Sequence, residues 1–267
     1  MKQTKLPEPL LINRITLRGP ELKRIFEYIR KKGETSYVEL IDRYVPKDNN
    51  IFSELNDDIL KDAIGFLISS GLLEISENGR SWSVRSFRVP TNLSQEISFQ
   101  NLLLKTILNM NDSKQRALSL IHKTLIEKDI LHIQDSEIVK VIERSEIADI
   151  FSWNEEKINF WSNIFDFCRL IRNLKGNGVW IIPKPELILE SLMLLKDQTP
   201  NFISINSWVT FFENNFGACI TKKGRLHKGF AMVFELLEQN NQLKMVHKDD
   251  SIQTILIGNR RVSEVII

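Results

Sequence analysis

One order of local patterns occurs three times along this chain: helix, helix, helix, hairpin. In the first pass, PELKRIFEYIRKKGE places Pro20 at a helix start and sets Leu22, Ile25, Phe26 and Ile29 at helical spacing. Gly33 follows the basic last turn, where a terminating glycine belongs. TSYVELIDRYVP then offers Thr35 or Ser36 as an N-cap, carries Val38, Leu40 and Ile41, and stops at Pro46. NDDILKDAIGFLISSG offers Asn56 as a cap, puts Asp57 and Asp58 in the first turn, and lines up Ile59, Ala63, Phe66 and Leu67. Gly71 ends that helix. LLEIS, the turn ENGR and SWSVRSF then predict a hairpin, because Asn78-Gly79 tolerates the positive φ of a tight turn.

The second pass predicts helices over 113–128 and 135–145, then a strongly apolar helix, EEKINFWSNIFDFC, with Ser152 and Glu155 as its capping box. RLIRNL, KGNG and VWIIP follow, with Asn177-Gly178 where Asn78-Gly79 stood. The third pass reopens on Pro-Glu-Leu at Pro185. SINSWVTFFENNFG and GRLHKGFAMVFELLEQNN supply its next helices. QLKMVH, a KDD turn and SIQTILIGN supply its hairpin, and RRVSEVII extends that strand or adds another.

Helix, helix, helix and hairpin in this order resemble the winged helix-turn-helix superfamily, and the likeness covers nearly the whole chain. It is a likeness of element order, since that superfamily has no signature residue. It implies a mainly α fold with small β-hairpins, an α+β chain of tandem winged-helix units. The boundaries read as an N-terminal winged helix at 1–88, a linker and extra helix at 89–112, a middle helical, winged-helix-like domain at 113–184, and a C-terminal winged helix at 185–267.

In that superfamily the third helix enters the major groove and the wing touches the backbone, and phosphate contact needs Lys and Arg there. The formal charge is only +2, so any attraction must be local. The first pass sets Asp57, Asp58 and Asp62 against Lys61 on its third helix, and only its wing is basic, with Arg80, Arg85 and Arg88. The middle pass opposes Glu155, Glu156 and Asp166 to Lys157 and Arg169. Its third helix is apolar nearly all round, so Phe160, Trp161, Ile164 and Phe165 are expected to pack on neighbouring copies or on a partner chain. The third pass carries Lys222, Lys223, Arg225, His227 and Lys228 at the start of its third helix and Arg260 and Arg261 in its hairpin. Those seven are the expected nucleic-acid site, with Arg80, Arg85 and Arg88 as a lesser one. No residue is placed to read a base edge, so weak sequence specificity is expected.

Chemistry is sparse. There is no P-loop, dinucleotide-binding glycine fingerprint or nucleophile elbow. His122, His132, His227 and His247 are dispersed, and Cys168 and Cys219 read as buried reduced thiols. No metal and no cofactor is expected. Asp149 with Glu155-Glu156-Lys157 matches a nuclease metal site only loosely, and helix-opening acids explain it better. No apolar run reaches the ~18–20 residues of a membrane span, and the N-terminus reads as no signal peptide.

The sequence therefore predicts a cytoplasmic, non-catalytic adaptor or accessory subunit. Its third unit would touch DNA and its other units would hold protein subunits, an ATPase among the candidates. The organisation resembles accessory subunits of prokaryotic antiphage-defence or chromosome-maintenance complexes. The alternatives are a winged-helix transcription regulator and a purely structural interaction protein.

Overall fold

A computed structural model describes residues 16–45, 57–77, 81–93, 98–110, 116–150, 152–197, 202–248 and 253–267. The first pass folds as α1 (Gly19–Lys32), β1 (Thr35–Ser36), α2 (Tyr37–Tyr44), α3 (Asp57–Ser69), β2 (Glu74–Glu77) and β3 (Ser86–Arg88). Pro20 opens α1, and Gly33 ends it at φ 89. Ser36 caps α2 through a capping box with Glu39. The Asn56 cap and the Asn78-Gly79 turn lie outside the described residues. A 3-10 turn at Trp82–Val84 shortens the returning strand.

After α4 (Phe99–Leu108), the order repeats as α5 (Ala117–Glu127), β4 (His132–Ile133), α6 (Asp135–Glu143), α7 (Glu155–Phe167), β5 (Arg172–Asn173) and β6 (Val179–Trp180). It repeats again as α8 (Pro185–Lys196), β7 (Ile203–Ser204), α9 (Ile205–Asn215), α10 (Lys228–Gln239) and β8 (Lys244–Val246), with β9 (Ile255–Ile257), β10 (Arg260–Val262) and β11 (Glu264–Ile266) after it. Each pass closes a three-stranded sheet in one order, β1-β3-β2, β4-β6-β5 and β7-β11-β8. The last strand is central each time and runs antiparallel to both neighbours.

Two local expectations are corrected. Asn154, not Ser152, caps α7, its side chain accepting from the Lys157 N–H. In the third pass, β8 pairs with β11 rather than with the strand after KDD. β9 instead pairs with β10, forming a separate small hairpin within the connection. Gly258, at φ 57, turns that hairpin, and RRVSEVII supplies both β10 and β11.

One apolar core runs through all three passes. Between the first and second, Phe66 meets Phe160 edge-on at 6.0 Å. Phe99 of α4 lies 5.0 Å from Phe26 and 6.1 Å from Phe167. Arg169 reaches from the end of α7 to Asn101 Oδ1 of α4 at 3.0 Å and to Glu190 of α8 at 2.6 Å. Between the second and third, His122 Nε2 donates to the Ala218 carbonyl at 3.1 Å, and His227 Nε2 to the Ile130 carbonyl at 3.0 Å.

Candidate nucleic-acid and partner surfaces

The segment that precedes α10 is a tight turn between Ile220 and Leu226, which form an isolated antiparallel bridge. The Thr221 N–H donates to Arg225 O at 2.9 Å, and Gly224 takes φ 70. Leu226 N–H donates to Leu256 O at 3.3 Å, and Leu256 pairs with Arg261 across β9 and β10. The fold thus brings the two expected basic clusters, 222–228 and 260–261, onto adjoining segments.

Most of those cations are already engaged. Arg225 bonds Asp129 Oδ2 at 2.6 Å, and Lys228 Nζ lies 3.5 Å from the same oxygen. Asp129 also accepts from the Lys228 N–H at 3.4 Å. Burial alone would raise its carboxyl, but that N–H, the guanidinium and the lysine together hold it below its ordinary value. Lys222 lies 3.8 Å from Glu146, and its N–H donates to Glu127 O at 3.2 Å. Arg260 bonds Glu238. Lys223 and Arg261 are exposed and bridge no carboxylate among the described residues.

His227 is corrected outright. It is fully buried and caps α10, its Nδ1 accepting from the Gly229 N–H at 3.1 Å while Nε2–H holds the Ile130 carbonyl. A Cβ on Gly229 would overlap the Ile181 carbonyl oxygen, so the first turn of α10 rests directly on the backbone of the middle pass. That turn has no room to enter a groove. The outward face of α10 shows Met232 and Leu236, 46 % and 40 % exposed. It is apolar where a phosphate-contacting helix is basic.

In the lesser site, Arg80 lies outside the described residues. The Arg85 guanidinium sits 4.8 Å from the Trp82 ring centre, and Arg88 pairs with Glu74 at 2.5 Å. On α3, Lys61 is held by Asp57 at 2.5 Å and Asp58 at 3.6 Å, so the acidic character expected there is kept.

Phe160, Trp161, Ile164 and Phe165 are at most 2 % exposed. Their packing partners are this chain's own residues, among them Phe66 for Phe160 and His122 for Phe165. All four are buried within the chain, Phe160 against Phe66 of the first pass and Phe165 against His122 of its own pass, so of the two packings expected the neighbouring-copy one is what Phe160 makes.

The metal-like fragment is occupied by capping. Lys157 Nζ donates to Ser152 O, and Asp149 lies in a 3-10 turn at Ala148–Ile150. Both thiols are free and buried, and burial pushes each well above the usual thiol range. Among the described residues, no helix is long and apolar enough to cross a membrane.

Sequence reasoning missed two features. Asp129 holds two of the seven, Arg225 and Lys228, and nothing in IEKDI marks it as the partner of residues about a hundred positions away. The second is a cluster on α1 and α2, in which Arg43 stacks 4.3 Å from the centre of Tyr28. Its signal was present, since Arg24, Tyr28 and Lys31 share one stripe at helical spacing. No protein-family model matches the chain, and no curated protein matches it.

Proposed function

We propose that the chain is a non-catalytic adaptor made of three winged-helix units, which presents fixed surfaces to protein partners and a weak, sequence-independent contact to a nucleic-acid backbone. The repeated sheet order, with the last strand of each pass in the centre, supports the winged-helix reading. One observation carries the adaptor reading. The helices that would read a groove are spent on joining the units, α7 through Phe160 and the start of α10 through His227 and Gly229. A transcription regulator needs such a helix exposed and basic, and α3, the remaining one, is acidic at its start.

The exposed α10 face of Met232 and Leu236 suits a protein partner. Backbone contact falls to Lys223 and Arg261, together with Lys222, whose long bridge to Glu146 lies in solvent on both sides and is easily exchanged. Fluorescence anisotropy with duplex DNA across a salt series tests this. The Lys222→Gln, Lys223→Gln, Arg261→Gln variant is expected to lose affinity and to flatten the log–log salt slope by about 2.7, at roughly 0.9 per phosphate contact. Absence of duplex binding at ~50 mM salt, or an unchanged slope, removes the nucleic-acid part and leaves a protein scaffold.

A further inference from the structure

We propose that the groove between α1 and α2 is a binding site for single-stranded nucleic acid. The groove is shallow and open and is lined by Arg24, Glu27, Tyr28, Lys31, Arg43 and Tyr44. Arg24, Lys31 and Arg43 share this lining with Glu27, which has Lys23 3.7 Å away. Lys32, beside the groove, is bridged to Glu39, so its charge is locally balanced.

The spacing fits a strand. Arg24 and Lys31 stand seven positions apart on one face of α1, about 10 Å along the axis at 1.5 Å per residue. At that separation the two cations reach different phosphates of one strand rather than a single phosphate. Tyr28 lies between them on the same stripe. Across the groove Arg43 lies 4.3 Å from the Tyr28 ring centre and 5.8 Å from that of Tyr44, and the two rings meet edge-on at 6.2 Å. The Tyr44 hydroxyl donates to the Arg24 carbonyl at 3.1 Å, which fixes that ring against α1.

Cations that track a backbone beside rings and guanidinium planes that stack bases are what single strands require. Duplex DNA hides its base faces and would gain nothing from the tyrosines. An acidic peptide would use the cations but not the rings. This site stands apart from Lys222, Lys223 and Arg261 and does not depend on them.

The test uses the full chain and a fluorescein-labelled oligothymidylate of about 15 nucleotides. Anisotropy is followed across a salt series, with thermal melts to verify folding of each variant. The Lys31→Gln, Arg43→Gln variant is expected to bind at least about 10-fold more weakly at low salt, with a salt slope lower by about 1.4, at roughly 0.7 per single-strand phosphate. Tyr44→Leu is expected to weaken binding about 5- to 150-fold with the slope unchanged, the range measured for loss of one stacked base. Tyr44→Phe, which keeps the ring but loses the hydroxyl's bond to the Arg24 carbonyl, is expected to bind more tightly than Tyr44→Leu. The matching duplex and polyglutamate are expected to compete poorly.

Binding that survives both the Lys31/Arg43 and the Tyr44→Leu changes but falls with Lys222→Gln, Lys223→Gln, Arg261→Gln overturns this site and keeps the proposed function. Equal competition by polyglutamate overturns it in favour of an acidic protein partner, and equal competition by the duplex overturns the single-strand assignment. No binding of either nucleic acid removes both.

Discussion

The carbonyl oxygen of Ile181 occupies the place where a side chain on Gly229 would begin. The next heavy atoms, the Ile181 carbonyl carbon and Ile182 Cα, stand 2.9 and 3.1 Å from that Cβ position. All are backbone, so nothing can swing aside. Gly229→Ala improves local helix propensity by up to about 1 kcal/mol. It must nevertheless lift α10 off the middle unit, and overpacking of a rigid neighbour costs about 1–3 kcal/mol or more. A net loss of stability in urea unfolding is expected despite the better helix former. A stabilised variant would mean that α10 does not rest on Ile181.

Acid should loosen the same join. His122 and His227 both donate through Nε2 to carbonyls across it, and the Nδ1 of His227 must stay unprotonated to accept from Gly229. Burial pushes His122 down to about 3, with the His227 charge acting in the same direction. Burial also lowers His227, and Lys228 adds to it, while the Ile130 carbonyl and Asp129 oppose the shift. The folded values lie below the unfolded value of about 6.5. The unfolded chain therefore binds more protons below about pH 6.5, and stability falls as pH drops from there toward the folded values. Each such histidine contributes up to about 1.4 kcal/mol per pH unit in that window. His227→Asn keeps a capping acceptor and should make the stability slope measured by urea unfolding between about pH 7 and 5 shallower, by at most one proton. An unchanged slope would place His227 in water.

The repeated element order was legible because caps, glycines and apolar spacing are local. Pro20, Ser36 and Gly33 act in the structure as they read in the sequence. The strand exchange in the third pass was not legible: β8 takes β11 across an inserted hairpin, and pairing over that distance depends on packing rather than on the KDD turn. The basic cluster was legible as charge and illegible as a site. Lys and Arg appear in a sequence as free cations, whereas Asp129, Glu146 and Glu238 reach them only through the fold. His227 misled for the same reason, since its burial is created by the neighbouring pass.

Phe160 should matter to the chain alone. It is 1 % exposed and meets Phe66 of the first unit edge-on. Phe160→Ala is expected to cost about 3–5 kcal/mol, the range for truncating a buried aromatic. The loss should appear in unfolding of the isolated protein with no partner present. A variant of normal stability that fails only to bind a partner would return Phe160 to the surface.

Asp129 controls how much positive charge the third unit shows. Its carboxylate holds both Arg225 and Lys228. Its φ is 56, a conformation that asparagine tolerates, so Asp129→Asn leaves the turn intact. Stability should fall by about 1 kcal/mol, since Arg225 and Lys228 are partly exposed and screened. The lowered folded pKa means the aspartate's contribution is present above about pH 4 and is lost as pH falls further, so the variant should show a shallower acid limb there. Removing the charge releases two cations beside Lys222, Lys223 and Arg261. Duplex DNA should then bind several-fold more tightly, with a steeper salt slope than wild type. An unchanged affinity in a folded variant would show that this face does not meet nucleic acid, and would leave the α1–α2 groove as the place to look.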